Sequence, residues 1–247
     1  MYAVEWHKVY SDKTAHSART ILPDLMSLFQ VRSLLEVGCG NAHWAQAAIH
    51  AGVEDCLAVD GPWNKAEELL IDPQLYRVRD LSESLNLERR FDMSVCLEVA
   101  EHLDGAFSDI LVNSLTASAD IVLFSAAIPL QGGYRHVNEQ WPSWWQSKFS
   151  AAGFDVFDLV RPKHWLNRDI HYWYRQNTFV YVRRDNRAKI DIATDAQRTL
   201  YASPILLDAV HPEKYERMAS YDAIAGKRLA RELPGWVFRR LRTLLRL

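Results

Sequence analysis

The chain has 247 residues, enough for one sizeable core or one core with an appendage. Hydrophobic residues make up 49% and charged residues 24%, which excludes a disordered or collagen-like chain. A net charge of −2 supplies no overall basic field, which argues against nucleic acid as a partner.

The first residues, MYAVEWHKVYSDK, carry neither a basic head nor an apolar stretch, and no run approaches the ~20 apolar residues of a membrane span. The three cysteines form no CxxC pair. Reduced thiols in a cytoplasmic protein are the expectation.

In chain order, residues 14–30 read as a helix entering the domain, with Pro23 marking a break or a new first turn. An apolar run at 33–37 leads into Gly38-Cys39-Gly40, and 41–51 reads as a helix stopped by Gly52. A buried strand follows at 56–60, ending in Asp60, and a short third strand at 76–78, before Asp80. Further strands are expected at 91–97 and 121–126. A helix at 144–152 then closes on Gly153, and 154–160 with 178–183 read as a strand pair. Strands alternating with helical stretches imply an α/β fold whose mostly parallel sheet is covered on both faces. From about residue 186 the alternation fades, and two helical patterns follow with a break at His211-Pro212. The chain therefore divides into a domain at 1–185 and a C-terminal helical extension at 186–247.

The segment LLEVGCGNAHW, residues 34–44, is a strand, a glycine turn and a helix start. Gly38 and Gly40 permit a tight turn and close approach of a ligand. The helix N-terminus should offer unpaired amides to a carboxylate or phosphate. His43 occupies the place of the third glycine of a dinucleotide fingerprint, which counts against a nicotinamide dehydrogenase. Asp60, twenty residues after Gly40 at a strand end, is placed to accept two ribose hydroxyls.

On these residues the chain resembles the class I S-adenosylmethionine-dependent methyltransferases across about residues 30–185. Glu36-Val37-Gly38-Cys39-Gly40 is similar to their first motif and Asp60 to their ribose acid. Asp80-Leu81 resembles the pair that holds the adenine, and the segment from Cys96 to Leu103, CLEVAEHL, the strand-four motif. Ala42 stands where many members have a further glycine. The resemblance implies a Rossmann-like, doubly wound sheet of seven strands, the last antiparallel, and S-adenosylmethionine as cofactor. It also places Glu36, Gly38, Cys39, Gly40, Asn41, Asp60, Gly61, Asp80, Leu81, Leu97 and Glu98 around that cofactor.

Methyl transfer is an in-line displacement at a sulfonium carbon, so the protein mainly holds the acceptor in line. A hydroxyl acceptor also needs a base or a metal. Glu98, Glu101 and His102 form E-x-x-E-H beyond strand four, and His136 follows strand five. His136, His102 and Glu98 are the candidate catalytic residues. Glu98, Glu101, His102 and His136 together suit a divalent cation: magnesium, manganese or zinc. Small-RNA 3′-end 2′-O-methyltransferases and ubiquinone-pathway O-methyltransferases look similar here. Alternatively, the acids cap a helix and no metal is bound.

Tyr134, Arg135, Asn138 and Trp141 are expected to face the acceptor, with Trp144, Trp145, Trp165 and Trp173 as further aromatic candidates. Flat apolar faces beside hydrogen bonders suit a sugar ring or another amphipathic small molecule. The strings NEQWPSWW and WYRQN resemble a methyltransferase subgroup associated with glycan and natural-product biosynthesis. The tail GWVFRRLRTLLRL, residues 235–247, reads as a basic amphipathic helix for an anionic membrane surface, a second copy, or its own domain. O-methylation of a saccharide or other small metabolite is the leading expectation. An RNA ribose 2′-O-methyltransferase and a catalytically silent cofactor-binding subunit of a glycan-assembly complex are its rivals.

Overall fold

A computed structural model describes residues 2–200 and 206–219, with side chains from residue 11 onward. Seven strands form one sheet: β1 (Ser33–Val37), β2 (Asp55–Asp60), β3 (Tyr76–Val78), β4 (Phe91–Leu97), β5 (Ala119–Ser125), β6 (Phe154–Phe157) and β7 (Phe179–Arg183). Their order is β3-β2-β1-β4-β5-β7-β6. The first five run parallel, whereas β7 lies antiparallel between β5 and β6.

The strands alternate their side chains between two cores, as a pleated ribbon must. Met93, Val95 and Leu97 of β4 face a core shared with α1 (Tyr2–Phe29) and α2 (His43–His50). Cys96 of β4, with Val122 and Phe124 of β5, faces the other core, against α3 (Ser108–Ser118) and α4 (Pro142–Ala151). Helices thus cover both faces in a doubly wound arrangement. The β2–β3 connection is carried by single 3-10 turns at Ala66–Glu68 and Pro73–Leu75 instead of a helix. Asp72 accepts the Gln74 amide at 2.8 Å, fixing the second of these turns.

Two helices packed on the sheet differ from the sequence reading. The first helix is longer, and Pro23 lies inside it rather than at a break. Proline removes one backbone bond, but Ala18, Ile21, Leu22, Leu25, Met26 and Phe29 bury a continuous stripe that outweighs the loss. The helix α3 was not anticipated, because Ser108, Ser114, Thr116 and Ser118 break its apolar pattern. These four are buried all the same, with Thr116 and Ser118 bonding back to the carbonyls of Val112 and Ser114.

After β6, short helices α5 (Arg161–His164) and α6 (Tyr172–Asn177) lead into β7, and α7 (Arg187–Leu200) returns to pack on β6, β7 and α1. The first compact unit therefore runs to Ala209, beyond the boundary expected at 185. Its last segment is fastened by Arg161, which pairs with buried Asp158 at 2.6 Å and donates to the carbonyls of Leu206 and Leu207. A second unit begins at Val210 and includes α8 (Pro212–Ala219). The basic segment 235–247 lies outside the described residues.

Phe124 is the hub of the second core, with the rings of Trp145, Phe149 and Tyr181 at 5.0, 5.2 and 6.2 Å. Phe124→Ala should cost about 3–5 kcal/mol, measured by denaturant unfolding, with an unchanged far-ultraviolet spectrum below the transition.

Candidate active site

The strand order reverses between β1 and β4, and in open sheets of this kind ligands bind beyond the carboxyl ends of the strands at such a point. The glycine loop lies at this point. Gly38 and Cys39 donate to the carbonyl of Val59 at 2.8 and 3.2 Å, tying the loop to β2. Gly38 has φ +73°, and a Cβ there would stand 2.4 Å from Val99 beyond β4. Only glycine lets these two loops meet. Ala42 takes a left-handed conformation, φ +66°, which favours glycine.

Glu36 organises this loop from below. Its carboxyl is buried and accepts the Ala45 amide at 2.7 Å, in the first turn of α2. The helix start is thus occupied from within, against the expectation that it offers its amides to an anionic ligand. Burial raises the Glu36 pKa to about 8.

Asp60 completes the loop. One carboxylate oxygen accepts from Gly40 and the other from Gly61, both at 2.7 Å. A carboxylate offers about four acceptor sites, so holding the loop and taking a ribose hydroxyl are compatible. The Asn64 side chain donates to the Gly40 carbonyl at 2.8 Å, and the Leu70 amide to the Asn41 carbonyl at 3.0 Å. Asp80 is exposed, and its carboxylate accepts from the amide and hydroxyl of Ser82 at 2.9 and 2.7 Å, which lowers its pKa. Leu81 beside it is buried.

Beyond Leu97, Glu98 adopts φ +56°. Its two carboxylate oxygens accept from the carboxamides of Asn177 at 3.1 Å and Gln131 at 2.9 Å. Asn177 also donates to Gln131 at 3.0 Å, and Gln176 to Asn177 at 2.8 Å. Burial raises the Glu98 pKa, while the carboxamide bonds oppose that shift. None of these three carboxamides was singled out as a site residue from sequence. Gln131 lies 33 positions from Glu98 and Asn177 lies 79, so no local spacing marks them.

Glu101, His102 and His136 converge: one ligand atom from each lies within 4.8 Å of the others. Glu98 stands outside this trio, held by its carboxamides. Glu101 is 1% exposed, and its Oε2 has no hydrogen-bond partner among the described residues. Burial, and then the nearby Glu98, push the Glu101 pKa well up. The rings of His102 and His136 meet edge to face at 4.9 Å.

The expected acceptor-facing residues divide. Tyr134 is 49% exposed beside the guanidinium of Arg135, and Trp141 is partly exposed at the start of α4. Asn138 is instead buried, its amide donating to the Ala100 carbonyl and the Ser108 hydroxyl at 3.3 and 3.1 Å. It fastens the loop rather than facing solvent. Trp145 belongs to the second core, while Trp173 stacks on His171 at 4.0 Å. Trp44 and Tyr174, absent from the sequence candidates, pack edge to face at 5.2 Å below the site.

No protein-family model and no curated protein matches the chain. Solved structures do. DesVI of Streptomyces venezuelae superposes with a TM-score of 0.57 at 14% identity, over 74% of this chain and 98% of that one. A sugar N-methyltransferase of a Streptoalloteichus species gives 0.56 at 18% identity, over 74% and 93%. The magnesium protoporphyrin IX methyltransferase of Synechocystis, solved with S-adenosylhomocysteine bound, gives 0.52 at 14%, over 72% and 92%. The chain has the fold of the class I methyltransferases. In that methyltransferase fold the glycine loop, Asp60 and the strand-four turn all sit at one sheet edge.

The raised pKa of Glu36 makes a signed prediction. The folded state keeps a proton that the unfolded chain releases between the ordinary glutamate range and about pH 8, so stability should fall as pH rises through that window. Glu36→Gln has no such proton. Its melting temperature relative to wild type should therefore rise between about pH 5 and about pH 9, as scanning calorimetry would show.

Proposed function

We propose that the chain is an S-adenosylmethionine-dependent methyltransferase acting on a hydroxyl of a saccharide or other small metabolite. The observation that carries this reading is the meeting of two half-sites at one edge. Gly38 abuts Val99, so the glycine loop with its ribose acid adjoins the turn bearing Glu101 and His102. The filled start of α2 suits an uncharged ribose and a cationic sulfonium better than a dinucleotide pyrophosphate.

In the reaction, the acceptor oxygen attacks the methyl carbon in line with the carbon–sulfur bond. That bond breaks with its electron pair going to sulfur, which leaves the neutral thioether. His136 takes the hydroxyl proton, and its neighbour His102 packs against its ring. Tyr134 and Trp141 offer flat partly exposed faces to the acceptor. A cytoplasmic setting, a separate role for the C-terminal extension, and tail contacts with a membrane or a second copy belong to the same reading.

A second reading is favoured by one observation, the buried Oε2 of Glu101, which has no hydrogen-bond partner among the described residues. A carboxylate and two imidazoles fit a divalent cation, and Glu101, His102 and His136 would hold it. Such a cation supplies Lewis acidity that lowers the pKa of an acceptor hydroxyl.

Calorimetric titration should show S-adenosylhomocysteine binding to wild type, and Asp60→Ala should weaken it at least about tenfold through lost bonds to an ionised acceptor. Unchanged affinity would place the ribose elsewhere. Turnover, followed as S-adenosylhomocysteine release over a panel of saccharide and phenolic acceptors, should fall ~10²–10⁴-fold in His136→Ala and survive a chelator. Chelator-sensitive turnover, restored by magnesium, manganese or zinc, would instead favour the cation.

A further inference from the structure

His136 sits in a loop that is restrained from three directions. The Val137 and Asn138 amides donate to the Glu101 carbonyl at 2.8 and 3.1 Å, clamping the loop to the strand-four turn. Glu139 lies on the opposite side, where one carboxylate oxygen meets both the Gly132 amide at 2.7 Å and the His136 Nδ1 at 2.9 Å. The third restraint is steric. A Cβ on Gly133 would stand 2.2 Å from the His136 Nε2 and 2.3 Å from its Cε1, so the ring edge lies directly on the Gly133 backbone.

The bonding pattern fixes more than position. A carboxylate only accepts, so the Nδ1 that meets it carries the hydrogen. In the neutral ring that leaves the lone pair on Nε2, which makes no hydrogen bond among the described residues. The His136 and Glu139 side chains are only 12% and 19% exposed, so water competes weakly for their bond. Gly133 does not have a positive φ, so its role is space rather than backbone freedom.

We propose that Glu139 and Gly133 are the positioning residues of this site: Glu139 holds His136 in its Nδ1–H tautomer, and Gly133 leaves the space its Nε2 edge occupies. The inference deepens the reading in which His136 accepts the acceptor's proton, and rests on it for its catalytic meaning. The proton moves from the acceptor oxygen to Nε2 while Nδ1–H stays bonded to Glu139. The charge that appears on the imidazole then lies against a carboxylate.

The test is long-range proton–nitrogen spectroscopy on protein labelled at its histidine ring nitrogens. His136 is assigned by its absence in His136→Ala, and spectra are taken near pH 8.5, where an ordinary histidine is neutral. Wild type should show a protonated Nδ1 and an unprotonated Nε2. Glu139→Ala should shift the ring toward the Nε2–H form, whereas Glu139→Gln, whose amide oxygen still accepts, should keep the wild-type tautomer. Gly133→Ala should displace the His136 signals. All three variants should hold S-adenosylhomocysteine within about threefold of wild type. An Nε2–H ring in wild type, or an unchanged tautomer in Glu139→Ala, would overturn the role of Glu139. Unmoved signals in Gly133→Ala would overturn that of Gly133. A larger loss of affinity would mean that the loop serves the cofactor instead. If the tautomers behave as stated but His136→Ala keeps full turnover, the positioning stands and the base assignment falls.

Discussion

The bond from the Ala45 amide to the buried Glu36 carboxyl is the constraint on which the site depends. It joins the end of β1 to the first turn of α2, and so fixes both ends of the loop between them. With its ends fixed, the loop turns through Gly38 and Gly40, and its amides reach Val59 and Asp60. The same bond takes up the Ala45 amide, which is then not offered to an anion. A motif that in dinucleotide-binding folds presents a positive helix end here presents a glycine edge backed by acids.

The rest of the edge follows a similar rule, in which buried acids are held by neutral donors. Glu98 is gripped by Gln131 and Asn177, and Asp60 by two backbone amides. The donors in those bonds are backbone amides and carboxamides, none of them charged. Glu101 is the exception, buried with one oxygen that has no hydrogen-bond partner among the described residues.

Much of this was legible in the sequence. Most of the strands could be placed because they are short apolar runs bounded by turn residues, and the glycine loop because its spacing to Asp60 is local. What escaped was set by distance or by context. The helix α3 carries buried serines and a threonine, so its apolar stripe is interrupted although its backbone is satisfied from within. The Glu98 network joins residues far apart in the chain, which no window reads. Asn138 and Trp145 looked like acceptor contacts by type, but neighbouring elements bury them. Glu101, His102 and His136 were anticipated together with Glu98, and the structure gathers the three while directing Glu98 to its carboxamides.

The most direct test of the central claim is a crystal structure grown with S-adenosylmethionine. The account predicts the ribose hydroxyls on Asp60, the ligand against the Gly38–Gly40 backbone, and the methyl group directed toward the space bounded by His102 and His136. Ligand density elsewhere on the molecule, or a methyl group facing away from both histidines, would contradict it.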